Sequence, residues 1–301
     1  MTIRQLADSD MDVVLALWNR SATFDPMTPE LFEEKVFDDH DFRAEWTLAA
    51  EEQGRLIGFI MGLARNVGDD KVGFVKLLAI DPAVQRRGIG SQLLQQIEAK
   101  LWQAGVSHIR VIDSSSNYLQ PGIDPRYTAA IIFFEHHGYK RFAEALNMEV
   151  DLTSRDFNTA AMEEQLRSKG IEVRRAIMGD REDLMRLLER HWKAWIPEVD
   201  RTLLNYPISL HVAVQQNRLI GFSAYDGNNF NTGWFGPMGT DPTLRGKGVG
   251  GVLLLRCLQD IKTQGHRFAV IPWVGPYRFY SHYAGARISR VFWRYKKEAA
   301  Q

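Results

Sequence analysis

The chain has 301 residues, of which 45% are hydrophobic, and its 37 Lys and Arg residues are matched by 37 Asp and Glu residues. Such a composition is typical of a water-soluble protein long enough for two medium-sized domains. Because the net charge is zero, the basic excess that nucleic-acid or anionic-membrane binding needs is absent, and neither partner is expected. The N-terminus lacks a signal-peptide pattern and no run of about 20 apolar residues occurs, which predicts a cytoplasmic protein.

Hydrophobic periodicity in the first half predicts strands alternating with helices. The helices are expected after Asp8, from Pro29, over residues 89–105, and from Asp124 to Gly138, with Asp8 and Asp124 as N-caps. The predicted strands cover residues 3–6, 47–51, 56–64, 72–80, 108–112, 139–142 and 146–152.

The second half repeats this order after a polar segment, residues 153–170, that has helical spacing and predicts a connecting helix. Asp180 is expected to cap a helix that runs to Trp192, a long helix follows Gly251, and Pro276 is expected to start a short one. The predicted strands begin at residue 173 and cover residues 210–214, 219–225, 231–238, 268–273 and 287–297.

Two sequence repeats indicate a tandem duplication. The pentapeptide Arg-Leu-Ile-Gly-Phe begins at Arg55 and again at Arg218, and an Asp-Pro pair begins at Asp81 and again at Asp241, so the offsets are 163 and 160 residues. We therefore predict an α+β fold made of two similar domains, 1–152 and 171–301, joined by the connecting helix at 153–170. Each domain is expected to hold a mixed, mostly antiparallel sheet flanked by helices.

The segments after the two Asp-Pro pairs have the composition of a phosphate-binding loop. Both copies share Asp-Pro-x-x-(Gln/Arg)-x-x-Gly-x-Gly, and glycines there allow the backbone N–H groups to approach an anion at a helix N-terminus. The match of the second copy to Gly-x-Gly-x-x-Gly is incidental, because the first copy has Leu93 at the third glycine. A Walker loop is excluded because Lys247 is followed by Gly248, where Ser or Thr would bind magnesium.

This order of elements, with Gln85-Arg-Arg-Gly-Ile-Gly90 and Arg245-Gly-Lys-Gly-Val-Gly250 after the fourth strand of each half, resembles the GCN5-related N-acetyltransferase (GNAT) family in duplicate. The second half is further similar to bacterial tandem acetyltransferases, some of which acetylate amino sugars. The resemblance implies acetyl-CoA as the cofactor, held by the end of the fourth strand and by the loop. The implied cofactor-binding residues are Leu78, Ala79, Ile80, Arg86, Arg87, Gly88, Ile89, Gly90 and Ser91 in the first copy, and Met238, Gly239, Thr240, Arg245, Gly246, Lys247, Gly248, Val249, Gly250 and Gly251 in the second.

The same resemblance implies direct attack of an amine on the thioester, with a tyrosine that protonates the departing thiolate. The family's Phe/Leu-Tyr pair is matched by Phe279-Tyr280, whereas Phe133-Phe134 takes that place in the first copy. Chemistry is therefore expected in the second domain, with Tyr280 as the catalytic acid and the first loop still able to bind cofactor. The spacing from this position to the next glycine differs between the copies, so Tyr283 is kept as an alternative to Tyr280 for the catalytic acid. Asp226 is the candidate general base, and the carboxylates kept as alternatives are Glu198, Asp200, Asp113 and Asp124.

The predicted function is transfer of an acetyl group from acetyl-CoA to a primary amine of a small molecule, with an amino sugar as one candidate. The alternatives are a non-catalytic acyl-CoA sensor, or an acetyltransferase acting on a protein, a polyamine or a mycothiol precursor. No metal site is expected, since the histidines lack ligand spacing and Cys257, the only cysteine, lies on the apolar stripe of a helix. A monomer or a homodimer is expected.

Overall fold

The computed structural model describes residues 1–244 and 246–299 and divides the chain into two compact units. The first unit contains Met1–Ala145 together with the C-terminal residues from Phe292, and the second contains Leu146–Val291. The long strands at 140–151 and 287–298 are therefore each divided between the units. The predicted domains 1–152 and 171–301 are continuous segments, whereas the first unit also contains the C-terminal residues. The domain bounds therefore stay a prediction.

The first unit is a mixed sheet with helices on both faces. Strands β1 to β4 pair in sequence as antiparallel neighbours, β5 lies parallel to β4, and the end of β12 lies antiparallel to β5. Helices α1 and α2 cover one face with an apolar cluster around Phe59 and Phe74, and α3 and α4 cover the other around Leu93 and Phe134. Its elements are β1 Thr2–Gln5, α1 Met11–Ser21, α2 Pro29–Lys35, β2 Thr47–Glu52, β3 Arg55–Val67, β4 Asp70–Ile80, α3 Ile89–Gln103, β5 His108–Val111, α4 Thr128–His136 and the first part of β6 Lys140–Asp151.

The second unit repeats this arrangement. Strands β7 to β10 form an antiparallel sheet in sequence order, and β11 pairs with the second part of β6. Helices α6 and α7 pack on one face around Phe222, while α8 and α9 pack on the other around Phe235 and Cys257. Its remaining elements are α5 Ala160–Arg167, β7 Ile171–Arg175, α6 Arg181–His191, α7 Ile196–Thr202, β8 Leu210–Gln215, β9 Arg218–Tyr225, β10 Phe235–Thr240, α8 Val249–Thr263, β11 Phe268–Ile271, α9 Tyr277–Ala284 and β12 Arg287–Glu298.

Several predicted boundaries were wrong for local reasons. The first helix begins at Met11 behind a short 3₁₀ turn, because Asp10 and not Asp8 accepts the Ala7 N–H. Asp124 is not an N-cap: its carboxylate is engaged by Arg126, and α4 begins only at Thr128. One strand, β6, covers the two short strands predicted at 139–142 and 146–152, and only Ala160–Arg167 of the connecting segment is helical.

Candidate active site

The two predicted phosphate loops have closely similar backbone structures. The carboxylates of Asp81 and Asp241 accept the N–H of the second residue after them at 3.0 Å, at Ala83 and Thr243 respectively. Each aspartate thereby caps a 3₁₀ turn that begins at the following proline. The backbone N–H groups of the same aspartates bond to the strand that carries the repeated pentapeptide, at Ile57 and Ile220. The shared Asp-Pro pair therefore builds the turn that precedes each loop.

Each loop places two left-handed residues in front of its helix. Arg86 and Gly246 have φ values of 65° and 83°, and Gly88 and Gly248, which precede α3 and α8, have φ values of 80° and 91°. Turns of this kind orient backbone N–H groups toward a common point, and the N–H groups of the first helical turn have no intrahelical partner. Both loops are therefore suited to a pyrophosphate.

The basic side chains of the loops differ in their surroundings. Arg87 donates to both carboxylate oxygens of Glu52, at 2.7 and 3.0 Å, on the surface of the first unit. Its counterpart Lys247 is exposed, and Arg245 lies outside the described residues. An anion bound at the first loop would compete with Glu52 for Arg87.

The residues that begin the helices after the loops pack against side chains of the protein. Ile89 and Val249 are core residues, so only their backbone N–H groups could face a cofactor. Gly90 lies against the ring of Phe133, and Gly250 lies against the ring of Phe279, with 3.2 and 3.3 Å from an added Cβ to the nearest ring atom. Because these two contacts are equivalent, they show which residues of α4 correspond to which residues of α9.

The alignment decides which residues of the two helices correspond. Since Phe279 matches Phe133, Tyr280 matches Phe134 and Tyr283 matches His137. The extra residue in the second copy comes after Tyr283 and shifts only the glycine that ends the helix. Tyr280, and not Tyr283, therefore corresponds to Phe134 of the first unit.

Tyr280 lies inside the second unit with its side chain mostly covered. Its exposed fraction is 8%, its ring packs edge-on against Phe235 of β10 at 6.1 Å, and Phe279 lies beside it at 5.1 Å. Burial raises the pKa of Tyr280 to about 12, so its hydroxyl stays protonated at neutral pH. A protonated hydroxyl is what a proton donor requires.

Tyr283 has a packing contact that the sequence did not reveal. A Cβ added to Gly251 would lie 2.3 Å from Cε1 of Tyr283, so the absence of a side chain at Gly251 is what lets this ring approach α8. In the first copy the equivalent pair is Ser91 and His137, which join through a hydrogen bond of 3.0 Å.

The strand residues before each loop differ in exposure. In β10, Gly236, Pro237 and Met238 are all partly exposed, whereas Lys76 and Leu77 of β4 are buried and only Leu78 is partly exposed. The buried Ala79 follows Leu78, and Ile80 and Thr240, both partly exposed, end the two strands. The second unit therefore leaves more of the predicted cofactor-binding strand exposed.

Trp192 covers Gly239, the next residue of β10, and Trp195 stacks on Trp192. The six-membered part of the Trp192 ring lies 2.7 Å from where a Cβ of Gly239 would be, so Gly239 admits the ring. Trp192 stacks on Trp195 with ring centroids 5.7 Å apart and an interplanar angle of 11°. These rings form an aromatic wall, only partly buried, beside the strand that is predicted to hold the cofactor.

Asp226 follows β9 at the end farther from the loop. It is 1% exposed, and its oxygens accept the Asn231 N–H at 3.0 Å and the Gln264 amide at 2.8 Å. The preceding residue, Tyr225, is the strand partner of Phe235, which contacts Tyr280. Asp226 is therefore a buried carboxylate with structural partners, linked to Tyr280 only through its neighbour Tyr225 and the ring of Phe235.

The alternative carboxylates are also engaged. Asp200 pairs with Arg181 at 2.7 Å, Asp113 is enclosed by Arg110 and Arg294, and Asp124 pairs with Arg126. Glu198 lies on α7 with its backbone against Gly227.

Sequence reasoning missed a buried charged network in the first unit. Lys76 and Arg65 both bind Asp39, and Arg65 also binds Asp41 at 2.7 Å. Asp39, His40 and Asp41 form the one cluster in the described part of the chain with spacing for a metal ion, but its carboxylates already have these cationic partners. The available signal was one lysine inside the apolar run of β4.

Within residues 1–244 and 246–299, no helix is long and apolar enough to cross a membrane.

Comparisons with known proteins agree with the duplicated fold. The profile of the Acetyltransferase (GNAT) family matches residues 11–139 and again residues 175–282. An acetyltransferase of Photorhabdus laumondii is 32% identical over 119 residues, which are 39% of this chain and 78% of that protein. An acetyltransferase of Pectobacterium atrosepticum is 30% identical over 119 residues, covering 39% of this chain and 79% of that protein.

Solved structures of similar fold cover the whole chain. The glucosamine N-acetyltransferase region of a fungal multidomain β-N-acetylglucosaminidase matches with a TM-score of 0.82 and 19% identity over 98% of this chain, which spans only 38% of that protein. A tandem GNAT protein from the clavulanic acid biosynthesis pathway matches with a TM-score of 0.70 and 16% identity over 100% of this chain and 99% of that one.

Proposed function

The chain belongs to the GNAT family of acyl-CoA-dependent N-acetyltransferases, and from that premise we propose that its second unit moves the acetyl group of acetyl-CoA to a primary amine of a small molecule. The observation that carries the proposal is the pair Tyr280 and Phe134, which occupy the same helix position in the two units. Only the tyrosine can donate a proton to a departing thiolate. The first unit keeps a cofactor loop without this donor.

In the proposed reaction the amine nitrogen attacks the thioester carbonyl carbon. A C–N bond forms, the C–S bond breaks, the ammonium proton leaves to a base, and the thiolate takes a proton. Tyr280 is the proposed acid, because its buried hydroxyl is protonated at neutral pH. Asp226 remains the proposed base, and its place beside the Tyr225–Phe235 pair supports that role. Backbone N–H groups around Met238 are proposed to orient the thioester.

The acceptor is proposed to bind between the aromatic wall of Trp192 and Trp195 and the open part of β10. Aromatic faces favour ligands with flat or apolar surfaces, such as the ring of an amino sugar. The likeness in fold to a glucosamine N-acetyltransferase region makes glucosamine the first amine to test. A panel of amines, adding an aminoglycoside, a polyamine, a cysteinyl amino sugar and a peptide N-terminus, would be followed by thiol release and mass detection of the product.

We predict that Tyr280→Phe lowers kcat by about tenfold or more with little change in acetyl-CoA affinity, because the donor is lost while the cofactor contacts remain. Steady-state turnover and titration with acetyl-CoA measure the two effects. Tyr283→Phe is the matched control and should cost clearly less. Wild-type turnover in Tyr280→Phe, or a larger loss in Tyr283→Phe, would remove Tyr280 from the mechanism.

The second candidate function is an acyl-CoA sensor that binds cofactor at both loops and transfers nothing. The similar backbone of the two loops favours it, since each could hold a pyrophosphate. Cofactor binding without thiol release for any amine of the panel would support the sensor and contradict the proposed enzyme.

A further inference from the structure

We infer that the residue at the bulge of the cofactor-binding strand decides which unit admits an amine: Lys76 closes the first unit, and Gly236 leaves the second open. The inference rests on the proposed function and adds the residue that selects the reacting unit. It follows from a comparison of two equivalent positions in one chain.

The two positions are equivalent by strand register. Gly58 and Gly221 stand at the same place in the repeated pentapeptide, and they pair with Ile80 and Thr240. Four residues before these partners the strands bulge: β4 has an extra residue, Lys76, between the partners Val75 and Leu77. Counting back four residues from Thr240 leads to Gly236, in the irregular part of β10 between Phe235 and Met238.

In the first unit the bulge lies where β4 and β5 part. Their last paired residues are Val75 and Val111, and beyond these residues the two strands no longer pair. The Lys76 ammonium is fully buried there and binds Asp39, although burial lowers the pKa of this lysine to about 7. Lys76 therefore holds a buried primary amine next to the point where the pairing of β4 and β5 ends.

Further hydrogen bonds connect the segments that surround Lys76. Arg65 of β3 bonds to Asp39 at 2.5 Å and to the carbonyl oxygen of Ser114 at 2.9 Å, which lies in the segment after β5. Asn117 of the same segment donates to Asp39 at 3.2 Å. The network thereby ties β3 and β4 to the chain beyond β5, and a buried charge with such partners is costly to displace.

Within the described residues, the two positions of the second unit that correspond to Lys76 and Arg65 carry no charged side chain. A Cβ added to Gly236 would meet no atom within 4 Å, and Gly236 is partly exposed. By the offset of the repeated pentapeptide, the counterpart of Arg65 is the uncharged Asn228. Space for an acceptor therefore exists beside the strand that is predicted to hold the thioester.

The test introduces the lysine into the second unit. Gly236 has a φ of +111°, so any side chain strains the backbone, and Gly236→Ala serves as the control for strain. We expect Gly236→Lys to lower kcat/KM for the amine by about tenfold or more beyond Gly236→Ala, with acetyl-CoA affinity alike in the two variants. Equal amine transfer in both variants would overturn the inference.

A reciprocal measurement covers the case in which Gly236→Lys does not fold. Lys76→Ala should open a cavity that n-butylamine enters, so that the amine raises the melting temperature of this variant in a concentration-dependent way. Lys76→Met fills the same space without charge and should show no such rise, as should the wild-type protein. No stabilisation of Lys76→Ala would overturn the inference.

The outcomes separate this inference from the proposed function. If Gly236→Lys transfers as well as Gly236→Ala while Tyr280→Phe has lost turnover, the bulge does not select the unit and the enzyme proposal stands. If the wild-type protein releases no thiol with any amine, the enzyme proposal fails, and the n-butylamine measurement still tests whether Lys76 fills an amine site.

Discussion

The individual glycines of the second loop have different structural roles. Gly246 and Gly248 adopt the left-handed backbone conformation of the proposed anion cradle. Gly250 and Gly251 instead make room for the rings of Phe279 and Tyr283. The Gly-x-Gly-x-x-Gly match in this loop therefore combines a binding requirement with a packing requirement.

We predict that Gly251→Ala lowers the free energy of unfolding by about 1–3 kcal/mol, because its Cβ overlaps the Tyr283 ring and α8 or α9 must shift. Denaturant unfolding followed by circular dichroism measures the change. Tyr283→Ala should relieve the overlap, so adding Gly251→Ala to that variant should cost much less. A Gly251→Ala protein as stable as the wild type would show that Tyr283 does not pack there in solution.

The surroundings of a residue could be predicted where they depend on its neighbours in the sequence. Cys257 was expected on an apolar stripe and is fully buried against Ser223. The sequence does not determine the register of Tyr280, because that register depends on which ring contacts Gly250, and α8 and α9 are separate elements. The buried role of Lys76 was missed for the same reason, since its partner Asp39 belongs to another segment.

At the scale of elements, β6 and β12 are each shared between the two units. The sequence predicted strands close to their positions, but apolar–polar alternation does not say which strand a segment will pair with. In the structure Lys296 of β12 pairs with Arg110 of β5, and the buried Phe292 and Tyr295 precede this paired end. The first unit thus depends on residues at the other end of the chain.

We therefore predict that a fragment of residues 1–152 is less stable than the first unit of the full chain. It lacks the buried Tyr295 and the ion pair of 2.7 Å between Arg294 and Asp113. A synthetic peptide of residues 287–299 should raise the melting temperature of the fragment as its concentration increases. The same peptide with Tyr295→Asp is the control, and equal effects of the two peptides would contradict the role of β12.

In the whole molecule, the two units keep similar loops and differ at the positions proposed for the reaction. Arg86 and Gly88 keep the left-handed backbone of the proposed cradle in the first unit, whereas Phe134 stands at the position of Tyr280 and Lys76 at the strand bulge. The duplication and the family were predictable because short repeats and motifs survive in sequence. The acceptor was not, because its contacts come from loops that carry no shared motif.

Acetyl transfer is proposed to take place in the second unit, and matched variants of the two loops test this assignment. Gly88→Glu and Gly248→Glu each place a carboxylate and a strained residue at the cradle of one unit, so each should remove one of two bound acetyl-CoA molecules in a calorimetric titration. With a reactive amine from the panel, turnover should fall by about tenfold or more further in Gly248→Glu than in Gly88→Glu. An equal loss in the two variants, or a larger loss in Gly88→Glu, would contradict the assignment of the chemistry to the second unit.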